Sequence, residues 1–309
     1  MKPRILFSSL ALLLIPGSLY AAAVSPATLD LQASQGETVT SAFTIINTSA
    51  SEQKYYLDTL GFKPQDESGT PQFVEKEQGD AFTKWIQFKT DQISVPAHAK
   101  VEVPFEVIVP QDVATGSHQA ALTVSSAPSD IVATNGATIE AKTAILVFLH
   151  IKGETIKQAH LLDFIDAIKE KVRTELYGNF SYRIQNQGNV YVIPVGNVTF
   201  KDVFGRTLMT EDANSVKGRI LPNSTRKFNV SLGKHSENIF ETLRNQMKLL
   251  AIGPVTENLS IEFGEGFKQI QEVKTFWYVP YHLIATLLSA ILLLFLLYRS
   301  IGKQFSKNS

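Results

Sequence analysis

The chain has 309 residues, no cysteine, and 29 Lys plus Arg against 29 Asp plus Glu, so its formal net charge is zero. That balance, with no extended basic block, argues against a nucleic-acid partner. The missing cysteines exclude a disulfide framework, thiol chemistry and a lipidated N-terminal anchor, and the length calls for two folded units.

The chain opens with Lys2 and Arg4, an apolar run over 5–15, Pro16-Gly17, and then Ala21-Ala22-Ala23. Charge, a short apolar stretch and small residues are the three parts of a secretory signal peptide, expected here over 1–23. The mature chain then begins near Val24.

From 24 to 152 the sequence reads as short strands separated by turn residues. A strand over 38–46 ends at the turn Asn47-Thr48-Ser49-Ala50; 55–60 is the next, followed by the polar tip Asp66-Glu67-Ser68-Gly69 and a short strand at 85–89. Residues 100–109 alternate, with Val101, Val103, Phe105 and Val107 on one face. Pro104 among them marks an edge strand or a bulge. Runs at 116–125 and 138–151 complete an immunoglobulin-like β-sandwich.

A second immunoglobulin-like sandwich is expected over 153–265, with strands at 179–185, 197–201, 226–232, 248–252 and 258–263. Leu161, Leu162, Ile165, Ile168 and Val172 fit a helical stripe as well as a strand pair. Residues 236–246, with Ile239, Phe240, Leu243 and then Met247, read as a short helix opened by a Ser236 cap. A weak repeat links the two units. The strand ending at Asn47-Thr48-Ser49 parallels the one ending at Asn186-Gln187-Gly188, and Ile93-Ser94-Val95-Pro96-Ala97 parallels Ile220-Leu221-Pro222-Asn223.

A juxtamembrane linker is expected over 266–275. Residues 276–298 carry no charge and supply the roughly 20 apolar residues that cross a bilayer. Phe276, Trp277, Tyr278 and Tyr281 stand at one end and Tyr298 at the other, where amphipathic rings favour the interface. Arg299 and Lys303 open a basic tail, 299–309, that the positive-inside rule places in the cytoplasm. The reading is a single-pass protein of the cell membrane, contacting lipid through one span, with its β domains outside.

Catalytic and nucleotide-binding motifs are absent, and the histidines are scattered without metal-ligand spacing. No enzyme activity, cofactor or metal is expected. One aromatic group stands out. Strand alternation over 82–88 puts Phe82, Ile86 and Phe88 on one face and Trp85 on the other. An outward Trp85, with Tyr55 and Tyr56, offers rings for stacking on sugars or on a protein; the alternative tucks Trp85 under a loop.

The series Trp85-Ile86, 93–97, Val103-Pro104-Phe105, Val109-Pro110 and Gly116-Ser117-His118 through Ala121 resembles the peptidoglycan-binding-like domain of WxL-interacting surface proteins. A second module of related bacterial proteins resembles Asn186-Gln187-Gly188-Asn189, Pro194-Val195-Gly196, Asp202-Val203-Phe204-Gly205 and 221–226, followed by a Phe276-Trp277 membrane entry. The resemblances cover about 24–152 and 175–280. They imply tandem immunoglobulin-like domains on a C-terminal anchor, acting as a binding or scaffold module of the bacterial envelope on cell-wall glycan or surface proteins. The host-binding module of that family is not matched, and its role is not carried over. Two alternatives stand beside this reading. The segment 24–31 resembles the opening strand of pilus chaperones, which suggests an assembly factor working by strand addition; a short or covered edge in the first unit would count against it. The other is a structural subunit of an envelope membrane complex.

Overall fold

The computed structural model describes residues 22–126, 142–264 and 269–307. The expected signal peptide, apart from its last two residues, and the start of the strand expected at 138 lie outside them. By internal contact the chain divides into two compact units. One is built on the chain up to Gly61, Val74–Asp112 and His118–Leu149; the other takes Phe62–Phe73, Val113–Ser117 and everything from His150. Among the described residues the folding elements are β-strands, apart from one helical turn, one short helix and one long C-terminal helix.

The strands up to Ile151 are β1 (Ala23–Ser25), β2 (Thr28–Ala33), β3 (Thr38–Ile46), β4 (Gln53–Pro64), β5 (Pro71–Val74), β6 (Ile86–Phe88), β7 (Gln92–Val95), β8 (Lys100–Ile108), β9 (Gly116–Ser125) and β10 (Lys142–Ile151). They make two sheets of an immunoglobulin-like sandwich, ordered β1-β3-β8-β6 and β2-β10-β9-β4-β5, with β7 also paired to β4. The opening strand is divided between the sheets. Ala23 of β1 lies opposite Ile46 of β3, whereas β2, past the cis Ser25–Pro26 bond, lies beside β10.

Alternation in β8 buries Val103, Phe105 and Val107. The other sheet buries Leu122, Val124, Ile145 and Val147, so apolar faces supply the core on both sides. Pro104 is not in an edge strand, because β8 lies between β3 and β6. Pairing with β6 stops at Phe88 opposite Phe105. Ile108 donates to the Trp85 carbonyl, so residues of even number turn their N–H groups to that side. The proline therefore falls just past the end of the β6 ladder, where no donor is needed.

The remaining strands are β11 (Ala159–Asp166), β12 (Val172–Arg173), β13 (Gly178–Asn186), β14 (Val195–Asp202), β15 (Thr207–Asp212), β16 (Ser224–Leu232), β17 (Gly253–Glu262) and β18 (Ile270–Tyr278). Sheets β11-β13-β16 and β12-β18-β17-β14-β15 form the second sandwich. Phe164, Phe180, Tyr182 and Phe228 from the first sheet share one core with Phe200, Leu259, Phe276 and Tyr278 from the second. The helical reading of 161–172 gives way to strands β11 and β12. Gly196 lies at φ +155°, and a β-carbon there would come within 1.9 Å of the Ser260 carbonyl, so the approach of β14 to β17 requires glycine.

The repeat seen in the sequence has a shared hydrogen-bonding basis. Asn47 Oδ1 accepts from the Ser49 N–H at 2.9 Å, and its amide donates to the carbonyls of Val95 (2.9 Å) and Pro96 (3.0 Å). Asn186 Oδ1 accepts from the Gly188 N–H at 2.9 Å, and its amide donates to Val190 (2.7 Å) and Ile220 (3.1 Å). In each unit one buried asparagine joins the two halves of the repeat.

Helix α1 (Ile239–Leu249) is present, but Asn238 caps it by accepting from the Glu241 N–H, not Ser236. The strand expected at 248–252 is instead the end of α1 and its left-handed cap at Leu250. The expected linker 266–275 is largely the final strand β18. Only Val279 and Pro280 separate it from helix α2 (Tyr281–Lys307), in which Tyr281–Ile301 is long and apolar enough to cross a membrane.

Candidate functional site

In the first unit, Asp80 caps a helical turn at Ala81–Lys84, so 82–88 does not alternate as one strand. The turn brings residues three apart together, with Phe82 and Trp85 ring centroids 5.8 Å apart. The His118 ring lies 5.0 Å from the indole, and its Nδ1 lies 3.0 Å from Asp80 Oδ1. Trp85 is 9% exposed and Tyr55 2%. Both are core residues, and neither presents a ring to a ligand. Tyr56 remains half-buried on β4, with the Lys54 ammonium 5.6 Å from its ring.

The anchor assignments divide in the same way. Phe276 and Tyr278 are buried in the second core and belong to β18, not to a membrane girdle. Trp277, on the opposite face of that strand, is exposed, as are Tyr281, Tyr298 and Arg299 of α2. Lys303 lies in the same helix.

The second unit holds a buried charge cluster that sequence reading missed. Arg173 Nη1 lies 2.8 Å from Asp166 and 3.0 Å from Glu257. The guanidinium carbon is 4.0 Å from the Phe276 ring centroid, and its other nitrogens donate to the carbonyls of Ile168 (2.9 Å) and Glu170 (3.3 Å). Burial, then the hydrogen bond that the protonated Glu257 donates to Asp166 and the negative charge of Asp166, push Glu257 up to about 7, against the pull of Arg173. Perturbed carboxylates mark many active sites. Here, however, all three side chains are buried, and the guanidinium is held between two carboxylates, two carbonyls and the Phe276 ring. The cluster ties the 166–173 loop to β17 and β18. Its distant members, one on each of three elements, leave no local motif.

Among the described residues, no group of three His, Asp or Glu side chains is placed to hold a metal. A hollow of about 200 Å³ under α1 is lined by Glu175, Met209, Thr242, Asn245, Gln246 and Tyr278. Gln246 at its wall is itself buried.

The sheet ends are the other candidate surfaces. In the first unit the sheet β1-β3-β8-β6 closes on strands of three residues at both sides. The larger sheet ends in β2, six residues long, with no strand on its outer side among the described residues.

No family model matches the chain, and no curated protein does. Among solved structures, the chain is similar to one from a chaperone–tip adhesin complex of CFA/I fimbriae biogenesis, at TM-score 0.41 and 13% identity, over 82% of this chain and 99% of that one. It is also similar to the class 5 fimbriae chaperone CfaA, at 0.40 and 12% over 84% and 99%. A third is from the Salmonella enterica SafA pilin–SafB chaperone complex, at 0.36 and 12% over 84% and 98%. Likeness at this level carries no argument about activity or partner.

Proposed function

We propose that this chain is a non-enzymatic, membrane-tethered protein of the bacterial envelope that holds an extended segment of a partner protein by strand addition, as assembly factors for surface fibres do. The outer side of β2 carries the reading: it ends the larger sheet of the first unit, and its Leu29, Leu31 and Ala33 alternate with Thr28, Asp30 and Gln32. A strand added there gains main-chain hydrogen bonds and takes selectivity from alternate side chains. The three-residue strands β1 and β6 are too short for the purpose. A protein is favoured over cell-wall glycan because Trp85 and Tyr55, which would stack on sugars, are buried.

The tether rests on α2, whose apolar stretch is separated from β18 by two residues and is followed by the basic tail. The β units are then outside and the C-terminus inside, in keeping with the resemblance to WxL-interacting proteins.

The test is photo-crosslinking in cells making the full chain, with benzoylphenylalanine at Gln32 or, as control, at Glu102. The expected result is an adduct at Gln32 alone, mapped by mass spectrometry to one extended protein segment. Equal yields at both positions, or a carbohydrate adduct, would discard the proposal.

A further inference from the structure

Helix α1 is turned inside out for a soluble domain. At about 100° per residue, Ile239, Phe240, Met247 and Leu250 fall within roughly a quarter of its circumference, and all four are exposed, Phe240 at 81%. The face against the second sandwich is mostly polar, with Leu249 as its one apolar contact to the core. Thr242 Oγ1 donates to Glu175 Oε1 at 3.4 Å, Asn245 donates to Ser236 at 3.3 Å, and the Gln246 amide donates to the Thr174 carbonyl at 2.8 Å. Hydrogen bonds hold the helix to its domain while its apolar stripe points away.

Two neighbours extend that stripe. Arg206 Nη2 donates to the carbonyls of Leu249 (3.0 Å) and Leu250 (3.2 Å), which fastens the turn of Asp202–Arg206 to the end of α1. Phe204 at the tip of that turn is 90% exposed, and Gly205 at φ +77° makes the turn possible. On the other side, Gln246 Oε1 accepts the Leu283 N–H at 2.9 Å, so α1 abuts the first turn of α2, where the apolar span begins.

We propose that α1 and the 202–206 turn form a second membrane contact, with Phe204, Phe240, Met247 and Leu250 immersed at the boundary between headgroups and acyl chains. This rests on the tether reading. If α2 crosses the bilayer from Tyr281, whatever is bonded to its first turn lies at the level of the interface. Large exposed aromatic and aliphatic side chains are stable there and costly in water. The occupant is the lipid surface, because α1 is bonded to the first turn of the span.

The test uses the absence of native cysteine. Full-length chains carrying Phe204→Cys, Phe240→Cys, Leu250→Cys, Lys248→Cys or Leu292→Cys are nitroxide-labelled, reconstituted in phosphatidylcholine–phosphatidylglycerol vesicles, and compared for collision with oxygen and with a water-soluble nickel chelate. Labels at 204, 240 and 250 are expected to favour oxygen several-fold, as at 292, and the label at 248 to favour nickel. Nickel access at 204, 240 and 250 with oxygen preference at 292 would overturn the second contact and leave the tether intact. Shielding of those labels from both reagents would overturn it in favour of a protein-covered face. Nickel access at 292 would remove the tether, and the second contact with it.

Discussion

The side-chain amide of Gln246 joins the second sandwich to the start of α2: its oxygen takes the Leu283 N–H at 2.9 Å while its nitrogen donates to the Thr174 carbonyl at 2.8 Å. Leu283 is one of the first residues of a helix, whose N–H groups have no partner within it. Gln246→Leu fills similar volume and leaves both groups unmatched, at a cost of about 1–3 kcal/mol. Hydrogen exchange of the full chain in nanodiscs is the measurement. Protection at the Leu283 amide is expected to fall in the variant, with β3 and β8 unaffected.

Asn47 and Asn186 make matching bonds in their own units, and equal substitutions should act locally and alike. Asn47→Ala and Asn186→Ala are each expected to destabilise the unit that carries them by about 1–3 kcal/mol. Denaturant unfolding followed by hydrogen exchange separates the two units. Loss spread equally over both units from either substitution would contradict the local role.

The second unit is expected to lose stability as pH rises through neutrality. The Glu257 carboxyl is raised in the fold, so the folded chain holds a proton that the unfolded chain releases. That contribution is complete below the ordinary carboxylate range and is gone once pH passes about 7. The drop between pH 5 and pH 8 should be about 1–3 kcal/mol, and Glu257→Gln should remove it. An unchanged slope in the variant would place the source elsewhere. Arg173→Met, which strands two buried carboxylates, is expected to cost more, about 3–5 kcal/mol.

Trp85 is a packing residue against Phe82 and His118. Trp85→Ala should cost about 3–5 kcal/mol of first-unit stability, read by thermal unfolding. Trp85→Phe should restore most of it, and partner crosslinking from Gln32 should be unchanged in the Phe variant.

Strand content was legible wherever alternation ran unbroken, as in β8 and β13, because one buried face leaves a period of two. It failed where the phase shifts. In β11 the register slips between Leu161 and Asp163, which scatters Leu161, Leu162 and Ile165 into a pattern that mimics a helix. Aromatic residues next to an apolar run looked like an interfacial girdle, yet Phe276 and Tyr278 face a sheet core; composition alone does not distinguish the two apolar surroundings. Alternation left Trp85 open between an outward and a tucked ring, and the tucked one holds, because a capped turn at Ala81–Lys84 has no signature in strand periodicity. The charge cluster was illegible for a different reason: Asp166, Arg173 and Glu257 meet only through tertiary pairing. The asparagine repeat was legible as a pattern, while its cause, a bond between its two halves, needed coordinates.

With only Val279 and Pro280 between β18 and α2, any pull on the helix enters the sandwich along the axis of that strand. β18 is antiparallel to β17 from Ile270 opposite Ile261 to Tyr278 opposite Gly253, and β12 flanks the end next to α2. Tension therefore loads the whole ladder in shear, and its hydrogen bonds, which run across the pull, must yield together. A peeling geometry would part them singly.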